Sequence, residues 1–297
     1  METRNIRADL ILLLVAAIWG FAFVAQRLGM DHLGPFGFNG SRFLLGAVSL
    51  LPLLLFFKPR PGTCKIAPML RGSVAAGTFL FLGASLQQAG LLYTSAGNAG
   101  FITGLYIIIV PLIGLFLGQI TRLNTWLGGL LAVTGLYYLS VGDDFSINTG
   151  DLLVLGSALF WAGHVVIIGK LASELDNLRL AIIQFFICAL LSLLVAFIFE
   201  QDTLSLKNVA LAWQPIAYAG LFSVGIAYTL QVVAQRDAPA SHAAIIMSLE
   251  AVFALLGGWW LLEEEFSTRS IIGCSLMLAG MIISQFRFSR RRQQSLV

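Results

Sequence analysis

The chain has 297 residues, of which 58% are hydrophobic and only 11% charged, with a net charge of +3. A soluble domain carries about 25% charged residues, so most of this chain faces something other than water, and its polar segments are too short for a second, soluble domain. The basic residues cluster at the ends of apolar stretches, a membrane-topology signal that excludes a nucleic-acid footprint.

A membrane-spanning helix needs about 20 mainly apolar residues. The first such stretch, 9–27, contains Trp19 and has no A-x-A-type cleavage site after it, so it is read as a retained span rather than a signal peptide. The second, 36–57, carries Arg42 inside it. The third and fourth, 70–92 and 96–118, bring Gln87, Gln88, Tyr93 and Asn98, with Pro111 and the small-residue pairs Gly100/Gly104 and Gly114/Gly118. The fifth, 125–141, is short and is followed by a polar linker, 143–149. The sixth, 151–170, carries Trp161 and His164, and the seventh, 179–199, carries Gln184 and Cys188. The eighth, 213–234, carries Tyr228 and Gln231. The ninth, 241–262, starts at His242, carries Glu250 and ends before Glu263, Glu264 and Glu265. The tenth, 270–286, is short and leads into a basic tail. Cys64, Cys188 and Cys274 are odd in number and widely spaced, so neither a disulfide nor a metal set is expected.

The chain contains the same unit twice. Residues 8–24 and 150–166 align without a gap and share Asp9/Asp151, Leu10/Leu152, Leu13/Leu155, Ala16/Ala158, Trp19/Trp161 and Val24/Val166, at an offset of 142. Further on, Gln87/Gln231 and Asn98/His242 fall at an offset of 144. Two related apolar halves mark many transporters, whose substrate site lies between the repeats near mid-bilayer. With ten spans and a cytoplasmic N-terminus, 14 of the 18 Lys and Arg residues fall on inside segments. Only Arg27, Lys207 and Arg269 fall outside, and Arg42 lies within a span. This asymmetry supports ten spans, because dropping one would reverse the rest of the chain. Five spans per half is an odd number, so the second half is expected upside down relative to the first.

The fold expectation is therefore an all-α integral membrane protein with ten transmembrane helices in two inverted five-helix repeats. Residues 1–142 form the first repeat, 143–149 an extracytoplasmic linker, and 150–297 the second repeat with a cytoplasmic basic tail. Two tryptophans at mid-depth (Trp19, Trp161), the pairs Arg42-Phe43 and Gln184-Phe185, the stretch SLEAVFALLGGWWLLEEEFS and the closing IIGCSLMLAGMI together resemble the EamA-type transporters of the drug/metabolite transporter superfamily. Gln119 stands nine residues before Gly128, as Glu264 stands nine before Gly273. The resemblance covers nearly the whole chain. It departs from the family pattern at Ala251, where a proline is frequent, and at Gln119, where a glutamate is common. It implies export of amino acids or other small metabolites, in some members driven by protons.

Ionisable groups inside spans are costly and usually face a cavity or a partner helix. Arg42 either pairs with a substrate carboxylate or snorkels to the interface. Glu250 either takes up a proton or holds a fixed hydrogen bond. His164 projects from the same helix face as Trp161 and either contacts substrate or is a buried neutral histidine; His242 is expected at the interface. Trp19 and Trp161 either wall the cavity or pack between helices. The candidate substrate-binding residues are Trp19, Arg42, Gln87, Tyr93, Asn98, Trp161, His164, Tyr228 and Gln231, with Glu250 as the proton-coupling candidate. No cofactor or metal is expected; the expected partners are a small-molecule substrate, the lipid bilayer and protons, with no nucleic acid and a monomeric or weakly dimeric state. The chain has no H-E-x-x-H, G-x-S-x-G or P-loop to suggest an enzyme, and no filter loop or polar ring to suggest a channel. The expected function is export of small metabolites, foremost neutral or aromatic amino acids, across the inner (plasma) membrane by alternating access, with export of drugs or other metabolites as the alternative and both termini cytoplasmic.

Overall fold

The computed structural model describes residues 6–59, 61–94, 96–118, 121–140, 149–262 and 267–285. Among the described residues the chain is helical, with no strand. The helices of the first half are α1 (Ile6–Gly29), α2 (Pro35–Leu50), the short α3 (Leu53–Phe56), α4 (Ile66–Gly90), α5 (Ala96–Gly104), α6 (Tyr106–Phe116) and α7 (Leu123–Ser140). Those of the second are α8 (Thr149–Glu174), α9 (Asn177–Phe199), α10 (Leu206–Leu211), α11 (Trp213–Ala217), a π-helical stretch (Tyr218–Tyr228), α12 (Thr229–Gln235), α13 (Ala240–Met247), α14 (Glu250–Leu262) and α15 (Thr268–Gln285). A helical segment thus lies at each of the ten apolar stretches. Among the described residues, seven stretches, counting α2 with α3, α11 through α12, and α13 into α14 as continuous, are long and apolar enough to cross a membrane; Ile102–Phe116 and Ile271–Ser284 are shorter apolar helices. The linker residues 143–148, Gln119 and Glu263–Glu265 lie outside the described residues.

Helices in lipid gain little from hydrophobic burial against one another and rely on close backbone approach. The pair α7/α15 does this with glycines. A Cβ placed on Gly128 would stand 2.5 Å from the carbonyl oxygen of Gly280, and one on Gly135 would stand 2.5 Å from that of Gly273. Gly128 and Gly273 are separated by 145 residues, as are Gly135 and Gly280. The contacts are therefore reciprocal, each glycine of one helix meeting the equivalent of the other's partner, which is how a self-complementary two-fold contact is built. The order of the contacts also makes the two helices antiparallel.

The pair α2/α9 repeats the pattern. Phe43 and Phe185, equivalent at the offset of 142, face each other with ring centroids 6.3 Å apart. The carboxylate of Glu200, just after the end of α9, accepts from the first amides of α2, Phe36 N at 3.0 Å and Gly37 N at 2.7 Å. Those amides have no partner inside their own helix, and Pro35 at the first position needs none. Near the other end, Asp176 caps α9, accepting from Arg179 N at 3.1 Å, and its own amide donates to Thr63 O at 3.2 Å. The equivalent Asp9 and Asp151 likewise reach across to the ninth stretch and to the turn before the fourth, Asp9 to His242 Nε2 at 2.9 Å and Asp151 to the Thr94 hydroxyl. His242 is thus tied to α1 rather than simply interfacial.

The fourth and ninth stretches are both interrupted. Leu105 separates α5 from α6, and Ser248 and Leu249 separate α13 from α14. At each break the bonding tightens from i−4 to i−3. Leu105 N donates to Ile102 O at 3.2 Å and Ile108 N to Leu105 O at 3.0 Å. Leu249 N donates to Ile246 O at 3.2 Å and Val252 N to Leu249 O at 2.9 Å. Every partner in the second set is 144 residues beyond its equivalent in the first. The ninth stretch breaks although Ala251 replaces the proline common in the resembled family, so tightened hydrogen bonding is sufficient. Pro111 lies inside α6 without interrupting it.

Candidate functional site

The two breaks border a partly open cavity of about 530 Å³, counting the space open to solvent. Its wall is made largely of repeat partners. Trp19/Trp161 and Phe23/Val165 are related by 142 residues, and Gln87/Gln231, Thr103/Met247 and Tyr106/Glu250 by 144. Gln26, Arg42, Ser223 and Tyr228 complete the lining. Tyr106 and Glu250 are the first residues after the two breaks, so each break directs a polar side chain into the cavity. Interrupted helices lining a cavity between repeats are the arrangement that places solute sites in many transporters.

Tyr228 stands at the centre of an aromatic cluster. Its ring lies 4.6 Å from Trp19 at a 54° tilt and 6.1 Å from Trp161 in a near-parallel stack of 16°. Phe43 and Phe185 sit behind it at 5.9 and 6.0 Å. Its position at the end of the π-helical stretch matters, because a π-helix widens the turn and such stretches are frequent at functional sites. The same stretch offers the Ser223 carbonyl to the Trp19 indole N–H at 3.3 Å. Trp161 has no such partner: its Nε1 is buried and unbonded among the described residues. The residue equivalent to Tyr228 in the first half is Ala84, so this ring breaks the two-fold character of the site.

Arg42 is 2% exposed. Its Nε donates to Asn39 Oδ1 at 2.9 Å, and Asn39 in turn donates to Ala84 O at 3.1 Å. The guanidinium carbon lies 5.0 Å from the centroid of Phe43 and 5.6 Å from that of Phe38. Ring faces and one neutral acceptor offset part of the cost of burying the cation, yet among the described residues no carboxylate pairs with it. Glu250 lines the same cavity and has no hydrogen-bond partner among the described residues. No ion pair joins the two.

Of the other sequence candidates, Gln87 donates to Thr103 Oγ1 at 3.1 Å and Gln231 to Gln235 Oε1 at 2.9 Å, both from the cavity wall. His164 is fully buried behind the wall rather than in it: its Nε2 bonds Gln184 Oε1 at 2.9 Å, and its ring edge meets Trp161 and Tyr228. Gln184 is the repeat partner of Arg42, so the second half carries a neutral amide where the first carries a cation. Tyr93 is 62% exposed in the turn after α4 and does not line the cavity. The side chain of Asn98 lies outside the described residues. Sequence reasoning missed Phe23, Gln26, Thr103, Tyr106, Val165, Ser223 and Met247. Extending the two offsets would have found Tyr106 from Glu250, but Gln26 and Ser223 carry no such signal.

Comparison with known proteins adds an independent line. The sequence profile of the EamA-like transporter family matches the chain twice, over residues 6–141 and 148–286. An uncharacterized transporter of Archaeoglobus fulgidus is 33% identical over 96% of this chain and 87% of its own. The S-adenosylmethionine/S-adenosylhomocysteine transporter of Chlamydia muridarum is 28% identical over 92% and 90%, and the transporter YoaV of Bacillus subtilis 26% identical over 94% and 96%. A solved crystal structure superposes with a TM-score of 0.79 at 18% identity, covering 94% of this chain and 96% of that one, and so shares the fold.

Proposed function

The chain belongs to the EamA-like transporter family of multi-pass membrane transporters for small molecules, and from that premise we propose that it exports a neutral or aromatic amino acid across the inner membrane by alternating access. The observation that carries this reading is the cavity itself, walled by repeat partners on both sides, with aromatic rings and one buried cation. The aromatic faces suit an apolar or ring-bearing side chain. The terminal N–H groups of Arg42 suit a carboxylate. The chain is a transporter and not an enzyme.

The architecture of this reading is ten spans in two inverted repeats, residues 1–142 and 150–297, joined by the linker 143–149, with both termini cytoplasmic. The antiparallel, reciprocal contacts of α7 with α15 and the antiparallel packing of α2 on α9 support inversion. Two halves related in this way have two equivalent arrangements, each opening the shared cavity to a different side. Glu250 is the proton site of the cycle, a carboxyl group in the cavity wall without a fixed partner. The transporter acts as a monomer or weak dimer.

A second reading is an S-adenosylmethionine-type solute. It is favoured by the Chlamydia relatives and by the near-parallel Trp161–Tyr228 rings, which offer a face to a planar base or a sulfonium. Counterflow in proteoliposomes preloaded with amino acids, amines, organic acids, S-adenosylmethionine or S-adenosylhomocysteine separates the two. Saturable exchange of amino acids is expected. Exchange confined to the adenosyl compounds selects the second reading, and exchange of neither removes both. The Glu250→Gln variant is expected to lose the dependence of exchange on an imposed pH step; an unchanged dependence moves the proton site elsewhere.

A further inference from the structure

Resting on the reading of this cavity as the solute site, we infer that the solute is bound as a zwitterion, its carboxylate held end-on by Arg42 and its ammonium held by Glu250. The two ionisable groups line one cavity without pairing with each other. Arg42 cannot discharge itself, because a guanidinium keeps its proton in proteins. Its Nε is taken by Asn39 and its guanidinium carbon sits over the rings of Phe38 and Phe43. Only the terminal nitrogens remain, and these present two parallel donors to a carboxylate.

Glu250 supplies the opposite charge from the other half of the chain, at the break that opens α14. A solute with only an ammonium would leave the Arg42 cation buried and unmatched, an arrangement that is heavily penalised away from water, and one with only a carboxylate would leave Glu250 to be neutralised by a proton instead. A solute with both charges neutralises both. Four further polar atoms of wall residues are buried and left unbonded among the described residues: the hydroxyl of Tyr106, 4% exposed, Nε1 of Trp161, 8% exposed, and the amide oxygens of Gln26 and Gln231. Tyr106 is the repeat partner of Glu250, so the equivalent position in the first half offers a neutral group where the second offers a carboxyl. This one-sided placement of charge fixes the direction in which a dipolar solute lies.

The test uses the full chain in lipid nanodiscs and three matched probes: phenylalanine, phenethylamine, which lacks the carboxylate, and 3-phenylpropionate, which lacks the amine. Leucine with its own amine and acid serves as a second set. Binding is read by calorimetry and exchange by counterflow. The zwitterion is expected to bind about ten- to a hundredfold more tightly than either analogue. Glu250→Gln should abolish the preference over the acid while keeping that over the amine, and Arg42→Gln should do the reverse. Arg42→Lys, which keeps the charge, should retain part of the preference over the amine and so separates recognition from misfolding. An amine or acid bound as tightly as its zwitterion overturns the inference, as do variants that weaken all three probes equally. If solutes with a single charge exchange saturably, the cavity remains the solute site and only the zwitterion inference falls. If no class of solute exchanges, both fall.

Discussion

The two halves of the chain supply the same positions to the cavity but different chemistry. The first half brings a cation, Arg42, backed by Asn39, and a neutral hydroxyl, Tyr106, after its break. The second brings a carboxyl, Glu250, after its break, and has Gln184 bonded to His164 at the position of the cation. Even the shared tryptophans differ, Trp19 being tied to the Ser223 carbonyl while the Trp161 N–H is unbonded. Repetition sets the frame here, and departures from it set what the frame can hold.

The comparison is broken most strongly at the contact that relates the halves. Gly135→Leu would drive a side chain into the Gly273 carbonyl and Met277, and overpacking of this kind costs about 1–3 kcal/mol or more. The expected result is a clear fall in melting temperature in detergent; an unchanged melt would mean that α7 and α15 do not meet this closely. Next in size is Arg42→Gln, which removes a charge-assisted contact worth about 1.5–3 kcal/mol. Transport should fall by about ten- to a hundredfold in apparent affinity, whereas Gln184→Ala in the other half should leave solute selectivity unchanged. Comparable selectivity changes in the two would erase the functional difference between the halves.

A smaller effect sharpens the contrast between the tryptophans. Trp161→Phe removes an N–H that has no protein partner among the described residues, so it should weaken solute binding by about 0.5–1.5 kcal/mol with little change in melting temperature. Trp19→Phe breaks a bond within the protein and should instead lower stability. Titrations and melts of both variants decide this, and the reverse outcome would exchange their roles. The smallest effect is expected at the end of α2, where Glu200→Gln weakens a cap made by the second half for the first. A loss of about 1 kcal/mol in stability with unaltered selectivity is expected; altered selectivity would make the cap part of the solute path.

The sequence by itself determined the repeat, because spans that bury the same faces keep the same residues, as Trp19/Trp161 and Gln87/Gln231 do. It also determined the helical class, since a backbone in lipid has to satisfy its hydrogen bonds internally. Among site residues, Trp19, Arg42, Gln87, Trp161, Tyr228, Gln231 and Glu250 were legible as polar or aromatic groups at depths where lipid-facing positions disfavour them. Only the tertiary structure decided that His164 faces Gln184 rather than the cavity, that Tyr93 lies outside it, and that Tyr106 and Ser223 belong to it. Helical periodicity gives the side of a helix on which a residue lies, but not which neighbour that side meets. The breaks at Leu105 and Ser248-Leu249 were equally hidden, because no proline or glycine stands at the second, Gly104 beside the first reads as a packing glycine, and both breaks show tightened hydrogen bonding. That Arg42 and Glu250 line one cavity was decided the same way: they are 208 residues apart, and only packing of the two halves brings them to one space.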